Sequence, residues 1–226
     1  MEPGLFEIIF STRAMRRLKP DPVPDDLIER ILRAGQAAPN GGNNQEWGVL
    51  VVKDPAVKER VQVYYQRAFD NFVLKTYEAR LAATPPGEEH DKLARQLDVV
   101  ARLTRDFHKV PVWLVPCLEI GPRGASAMTG ASIYPAVQNM LLAARALGLG
   151  STLTTRHMIY GEKVDAIFGL PQNVMSFAIL PLGYPEGRFG PVRRAPLATF
   201  AHAETWGRPL VDDDPAGRPA SHVQTP

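Results

Sequence analysis

The sequence predicts a mixed fold of the α+β class in one domain, and three observations carry that expectation. Short runs rich in β-branched and apolar residues, WGVLVV, VPVWLV and FAILPL, are separated by amphipathic stretches with a period near that of a helix. Of the 226 residues, 45% are hydrophobic, enough for one substantial core. The one glycine-dense turn near a nucleotide fingerprint, GLGST, follows a helical segment. A Rossmann turn precedes one, so a doubly wound nucleotide domain is not expected.

VPDDLIERILRAGQAAP reads as a helix. Pro24, Asp25 and Asp26 suit its first turn, where an N–H is unpaired in any case and negative charge meets the positive end of the helix dipole. Leu27, Ile28, Ile31 and Leu32 form one apolar face, and Pro39 marks the end. WGVLVVKD follows as a strand. Two charged helical stretches, VKERVQVYYQRAFDNFVLKTYEARL and DKLARQLDVVARLTRDFH, flank the breaker TPPGEEH and form a helical excursion from about residue 60 to 108. VPVWLVPCLEI is a second strand. Pro111 and Pro116 predict that it lies at an edge or is interrupted, because proline cannot donate to a ladder. GPRGASAMTG is expected to be loop. In SIYPAVQNMLLAARALGLG, Val137, Met140, Leu141 and Ala144 share one side while Leu142, Ala143 and Leu147 widen the apolar surface. That pattern predicts a buried central helix, closed by Gly148 and Gly150. STLTT is extended, EKVDAIFGLP is a short helix stopped by Gly169 and Pro171, and VMSFAILPLGYP is a third strand. From Gly187 the chain is rich in proline and polar residues, predicting an extended arm over about 187–226 that frays at its end.

Several chemistries are excluded by what the chain lacks. Twenty-six basic and 24 acidic residues leave a formal charge of +2, too balanced for a polyanion-binding surface, so nucleic acid is not an expected partner. The single cysteine, Cys117, cannot form an internal disulfide and sits in an apolar run. A buried, unreactive thiol and a reducing, cytoplasmic setting follow. No segment has the roughly 18 uninterrupted apolar residues of a membrane span, and none reads as an export signal. The five histidines have no His or Cys companion at metal-ligand spacing, and neither a GxSxG elbow nor a GxxxxGK[ST] loop occurs. Metal chemistry and hydrolytic triads are not expected.

What remains is a set of basic and amide-rich clusters: STRAMRR, APNGGNNQEW, STLTTR and PVRRAP. Singly, each suits a solvated surface. In this order and spacing, from Ser11 to about Leu197, they resemble the nitroreductase-like family of FMN-dependent NAD(P)H oxidoreductases. That family opens with an Arg-Arg-Ser-x-Arg-x-Phe type motif before a Pro-Val-Pro helix start, where this chain has TRAMRRLKPDPVP, with Arg13 and Arg16 at two basic positions. Its Ala-Pro-Ser-x-x-Asn-x-Gln-Pro-Trp signature is written here from Ala38 to Trp47 as APNGGNNQEW. AVQNMLLAARALGLG matches the family's buried helix, LPLGYP its late strand, and RRAPL its basic residue before Pro-Leu. Departures are Thr12 for an arginine, Ala14 and Asn40 for serines, and Glu46 for a proline.

The resemblance implies a central, mostly antiparallel sheet flanked by helices, in an interlocked homodimer whose C-terminal arms are exchanged and whose interface holds FMN. It implies that Arg13, Arg16 and Arg194 meet the flavin phosphate, Arg194 in preference to Arg193. Ala14, lacking the family's hydroxyl, would offer only its backbone there. Pro39, Asn40, Gly41 and Asn43 would lie against the isoalloxazine ring, with Gly42 toward the substrate. The glycines let the backbone come close, and the amides match a ring edge of alternating carbonyl and N–H groups. Leu153, Thr154 and Thr155 would pass the flavin N5, where a backbone N–H or a threonine hydroxyl can hydrogen-bond and tune one- against two-electron transfer. Hydride would come from NADH or NADPH and pass to a nitroaromatic, quinone or related acceptor in a ping-pong cycle, with the excursion lining the acceptor pocket. No side chain is expected to be catalytic in its own right. Arg123 and Arg156 are candidates for a nicotinamide 2′-phosphate. Reductive dehalogenation, flavin-fragmenting chemistry and non-catalytic flavin storage or sensing are the alternatives. The Glu, Tyr and Lys lid of the dehalogenating relatives is not found.

Overall fold

One strand carries the sheet. In the structure, a computed structural model that describes residues 4–121 and 124–211, β2 (Val112–Glu119) pairs antiparallel with three others. On one side lies β1 (Trp47–Val52), in a register running from Trp47 opposite Leu118 to Val52 opposite Trp113. On the other side, β5 (Leu180–Gly183) takes residues 112–114 and β4 (Val174–Ser176) takes residues 117–119. β3 (Gly150–Ser151) adds to the far side of β5.

Two expectations are corrected here. β2 is central and unbroken despite Pro116, because that residue falls in the gap between the β5 and β4 pairings, where a missing N–H leaves no ladder bond unmade. Its carbonyl still accepts from Phe177 N at 2.9 Å. For the same reason VMSFAILPLGYP is two strands rather than one. Pro111 precedes the strand.

Successive β2 side chains point to opposite faces, and the two faces meet different helices. Val112 and Leu114 pack with Ile28 and Ile31 of α2 (Asp25–Gln36) and with Val137, Met140 and Ala144 of α6 (Ala127–Ala146). Trp113, Val115 and Cys117 pack with Val61 and Tyr65 of α3 (Pro55–Ala68), Leu103 of α5 (Glu88–Asp106) and Val164 of α7 (Gly161–Phe168). Cys117 is buried, and burial pushes its thiol up to about 12. The helical excursion is thus partly core. α3 and α5 cover the sheet, while α4 (Leu74–Ala83), reached through a π-helical turn at Phe69–Val73, buries no residue. Lys58 on α3 is buried with its ammonium donating to the carbonyls of Val110 (2.8 Å) and Pro111 (3.3 Å), so its charge is met at the entry to β2.

The buried central helix begins five residues earlier than the sequence suggests. Ser126 caps it, accepting from Thr129 N while the Thr129 hydroxyl accepts from Ser126 N, a reciprocal box that turns the end of GPRGASAMTG into helix. Of the residues expected on its buried side, Val137, Met140 and Ala144 are buried and Leu141 is half-buried.

Contacts divide the chain into two bodies. The one just described spans Ala14–Arg188. In the other, α1 (Leu5–Ser11) is joined to the arm by Val192 N donating to Phe10 O at 2.9 Å, and residues 201–210 close a turn through Leu210 N to Ala201 O. This body exposes Leu5, Phe6, Leu197, Phe200, Trp206 and Leu210. The frayed end expected beyond residue 211 lies outside the described residues. Among those described, no helix is long and apolar enough to cross a membrane.

Gly150 is required by close approach rather than by dihedral angle. A Cβ there would stand 2.8 Å from Leu18 Cδ2, 3.0 Å from Met15 Cβ and 3.2 Å from Pro185 Cβ. Gly150→Ala should therefore destabilise the protein by about 1–3 kcal/mol in denaturant unfolding, and an unchanged midpoint would show that the 15–18 segment can move aside.

His157 is fully buried beside Ser176. The Ser176 hydroxyl donates to Asp165 Oδ1, so the 3.0 Å bond to His157 Nε2 must be donated by the imidazole. Nδ1 is left without a partner, and burial lowers the imidazole pKa to about 4. The unfolded chain takes up this proton near pH 6.5, before the folded one does. The neutral ring's contribution is thus complete above pH 6.5 and lost as pH falls toward 4, about 3 kcal/mol in all. His157→Gln should flatten stability over that interval, and identical acid limbs in urea titrations of the two proteins would exclude this role.

Candidate functional site

In the larger body the end of the STRAMRR cluster is threaded between two pieces of sheet. Met15 N donates to Ser151 O at 2.9 Å, Lys19 N to Tyr184 O at 2.8 Å, and Glu186 N to Arg17 O at 3.0 Å. These bonds fix the backbone from 15 to 19. Met15 and Leu18 turn inward, and Ala14, Arg16 and Arg17 outward. Arg16 is exposed, close enough for its charge to act on the Tyr65 hydroxyl and on Arg156.

The 153–155 segment lies next along the chain from β3. Thr154 bridges to Ile179, donating N–H at 3.1 Å and accepting at 2.9 Å, and its hydroxyl shares a 3.0 Å hydrogen bond with Tyr65. All its polar groups are engaged. Leu153 and Thr155 face the other way and are exposed, Leu153 by 40%. The Thr155 carbonyl accepts from Met158 N, but its own N–H and hydroxyl have no partner among the described residues.

Arg156, a candidate for a surface 2′-phosphate contact, is instead turned inward. Its Nη1 donates to Thr104 Oγ1 on α5, and its guanidinium lies 4.5 Å from the Tyr65 ring centroid and 5.4 Å from that of Phe69. Burial lowers its pKa, with Tyr65 acting in the opposite direction. Burial likewise raises that of Tyr65, against Arg156, the Thr154 bond and Arg16. Arg123 lies outside the described residues.

The amide-rich loop is held by its own polar groups. Asn40 Oδ1 accepts from Gln45 N at 3.0 Å, Asn43 N donates to Asn40 O at 3.1 Å, and Gly42, Asn43 and Gln45 all have positive φ. Left-handed backbone at 42 and 43 explains Gly42 and Asn43, types that adopt it at least cost. Gly41 N donates to Ser132 Oγ on α6 at 3.1 Å, which ties the loop to the helix face. Pro39, Gly41, Gly42 and Asn43 are exposed, Asn40 is half-buried, and the Asn43 side-chain amide makes no hydrogen bond among the described residues. The contacts join this loop to α6 rather than directly to 153–155.

Arg13, Arg193 and Arg194 belong to the smaller body. All three are exposed, and Arg194 Nη1 donates to Arg193 O at 2.9 Å. Ser132, Tyr65 and Thr104 are the contributors that sequence reasoning missed. Of these only Tyr65 has a local signal, being one of several aromatics in VKERVQVYYQRAFDNFVLKTYEARL. Among the described residues no His, Cys, Asp and Glu cluster could hold a metal ion.

Comparison with known proteins bears on the family and the fold. The pattern of the family described as "Nitroreductase family" matches residues 9–184. A protein named NADH dehydrogenase from Thermus thermophilus is 31% identical over 189 residues, covering 82% of this chain and 88% of that one. Rat iodotyrosine deiodinase 1 is 24% identical over 181 residues, which is 80% of this chain and 62% of the deiodinase. Among solved structures, an oxidised iodotyrosine deiodinase bound to FMN and 3-iodo-L-tyrosine superposes with a TM-score of 0.66 at 25% identity, covering 85% of this chain and 95% of that one. Nitroreductase A from Vibrio parahaemolyticus shares the fold, with a TM-score of 0.65 at 19% identity over 91% of this chain and 77% of that one.

Proposed function

The chain belongs to the nitroreductase family, and from that premise we propose that it is an FMN-dependent oxidoreductase passing hydride from NADH or NADPH to a nitroaromatic, quinone or related organic acceptor. The observation that carries this is Thr155. On this exposed residue the N–H and hydroxyl stand unpaired among the described residues, beside a residue fixed at every polar group, the arrangement needed to hold a donor still against a ring nitrogen.

The residues suit a flavin mononucleotide. A ring rim of alternating donors and acceptors is matched by Thr155 and by the unpaired amide of Asn43, with Pro39, Asn40, Gly41 and Gly42 shaping the approach. A phosphate dianion is matched by the exposed guanidinium of Arg16, beside the backbone of Ala14. By family resemblance Arg13 and Arg194 are the further phosphate ligands, and Leu153 offers an apolar contact. FMN, when bound, supplies the hydride acceptor and donor, so no side-chain nucleophile is required. The chain's own part is to hold, orient and exclude water: Thr154 anchors the segment, and Ser132 fixes the Gly41 loop.

A homodimer with exchanged arms is part of this proposal. It is supported by the smaller body's apolar surface, where Phe200 is 81% and Trp206 91% exposed, an arrangement a partner subunit would cover. A single domain over 1–226 in that assembly, working in the cytoplasm, completes the proposal. Reductive dehalogenation is the second reading, favoured by the likeness to iodotyrosine deiodinase. Halide release from 3-iodotyrosine, assayed beside nitroaromatic and quinone reduction, separates the two.

The purified protein should be yellow and release FMN. Arg16→Ala should weaken FMN binding by about 1.5–3 kcal/mol, as should Arg13→Ala and Arg194→Ala, in fluorescence titrations. Release of FAD instead, or unchanged affinity in all three variants, would refute the assignment.

With no separate dinucleotide domain among the described residues, nicotinamide and acceptor are expected to use one pocket in turn. Varying either substrate at fixed levels of the other should give parallel double-reciprocal lines. Intersecting lines with a demonstrable ternary complex would overturn the shared pocket.

A further inference from the structure

We propose that Tyr65 is a positioning residue for the flavin reaction, acting through Thr154 to hold the 153–155 segment in register with the ring edge. The proposal rests on the flavin assignment above. Two of the bonds that hold Thr154 are backbone bonds to Ile179, which any residue but proline can make at that position, and a long one runs from Arg156 N to its hydroxyl at 3.5 Å. The shorter bond to that hydroxyl, 3.0 Å, comes from Tyr65 on α3, 89 residues away in the sequence.

Tyr65 is built into place. It is fully buried, with its ring stacked on Phe107 at 4.0 Å and 8° between planes, and Phe107 stacks on Trp113 of β2 at 4.4 Å. The Trp113 indole donates to Phe107 O at 3.2 Å, which fixes that ring in turn. The Arg156 guanidinium lies 4.5 Å from the Tyr65 centroid and is itself tied to Thr104 of α5. The phenol oxygen therefore has one place to be, and burial keeps its proton on at working pH. α3 grips residue 154 and α5 grips residue 156. Between them, Thr155 presents the open N–H.

A stack of this depth contributes to stability whatever the hydroxyl does, but the hydroxyl reaches past the stack to the residue that precedes Thr155 and fixes one side of it. Loss of the Tyr65–Thr154 bond leaves the Thr154 hydroxyl with only the long bond from Arg156 N, and the backbone bridge freer to tilt. A donor displaced by a fraction of an ångström loses much of its effect on a reacting atom. The same bond links the excursion to the flavin edge, so a change in α3 reaches the flavin without either residue touching the acceptor.

Tyr65→Phe keeps the ring stack and removes the hydroxyl, Thr154→Val removes the other half of the bond, and Thr154→Ser retains it. The measurements are the flavin midpoint potential by spectroelectrochemistry, FMN affinity by fluorescence titration, apoprotein Tm, and kcat and KM for NAD(P)H. Tyr65→Phe and Thr154→Val should shift the midpoint potential in the same direction and lower kcat about three- to tenfold with KM little changed. The double variant should be no worse than either single one, and Thr154→Ser, which keeps the hydroxyl, should recover most of the potential shift and kcat loss caused by Thr154→Val. A lowered Tm with unchanged potential and kcat, in variants that still bind FMN, would overturn the proposal and leave the flavin assignment standing. Additive effects in the double variant would overturn it equally. Failure of the parent protein to bind FMN would remove the flavin assignment and this proposal together.

Discussion

Every layer of the larger body answers to the need to satisfy and cover β2 on all sides. A strand with seven consecutive buried residues has nowhere to send its backbone polar groups except to neighbouring strands, and nowhere to place its side chains except against helices on both faces. β1 takes one edge, β5 and β4 share the other, and the division between those two falls where Pro116 has no hydrogen to give. The break at residues 177–179 is the same break that lets Ile179 turn to bridge Thr154. The position of the candidate site is thus a consequence of how one strand is paired.

The helices on the two faces do different work. α2 and α6 pack so closely that a Cβ on Gly35 would stand 2.7 Å from Met140 Cγ, and Ser132 of that layer anchors the Gly41 loop. α3 ends the aromatic stack that rises from Trp113 of β2 through Phe107 to Tyr65, and α3 and α5 meet the segment after β3 through hydroxyl and guanidinium groups. One layer thus holds the amide loop and the other holds the 153–155 segment, with the sheet between them as a common reference.

Much of this was legible in the chain because the signals are local. The 25–36 helix is announced by an acidic first turn and an apolar face, β1 by a β-branched run, and the glycine-rich loop by residue types that tolerate positive φ. What was not legible depends on distant partners. A proline's meaning in a strand is set by which neighbours pair around it, so Pro116 alone could not say that β2 is central. Ser126 and Thr129 look like loop residues until a helix follows them. Tyr65 reads as packing because an aromatic on a helix is packing nearly everywhere, and its hydroxyl partner is set by the fold rather than by spacing. Arg156 reads as surface charge for the same reason: the residues that draw it inward, Thr104 and Tyr65, lie far back along the chain.

The lone thiol provides a clock. Cys117 sits on β2 with its sulfur sealed in the core and almost wholly protonated at neutral pH, so a disulfide reagent has nothing to attack while the strand is covered. Labelling must wait until the central ladder opens, and the chain holds no second thiol to blur the signal. When exposure limits the chemistry, the rate at which colour develops counts openings of β2; when reclosure is faster, the same trace reads their free energy. The protein thus reports the breathing of its own central strand, without a probe having to be introduced.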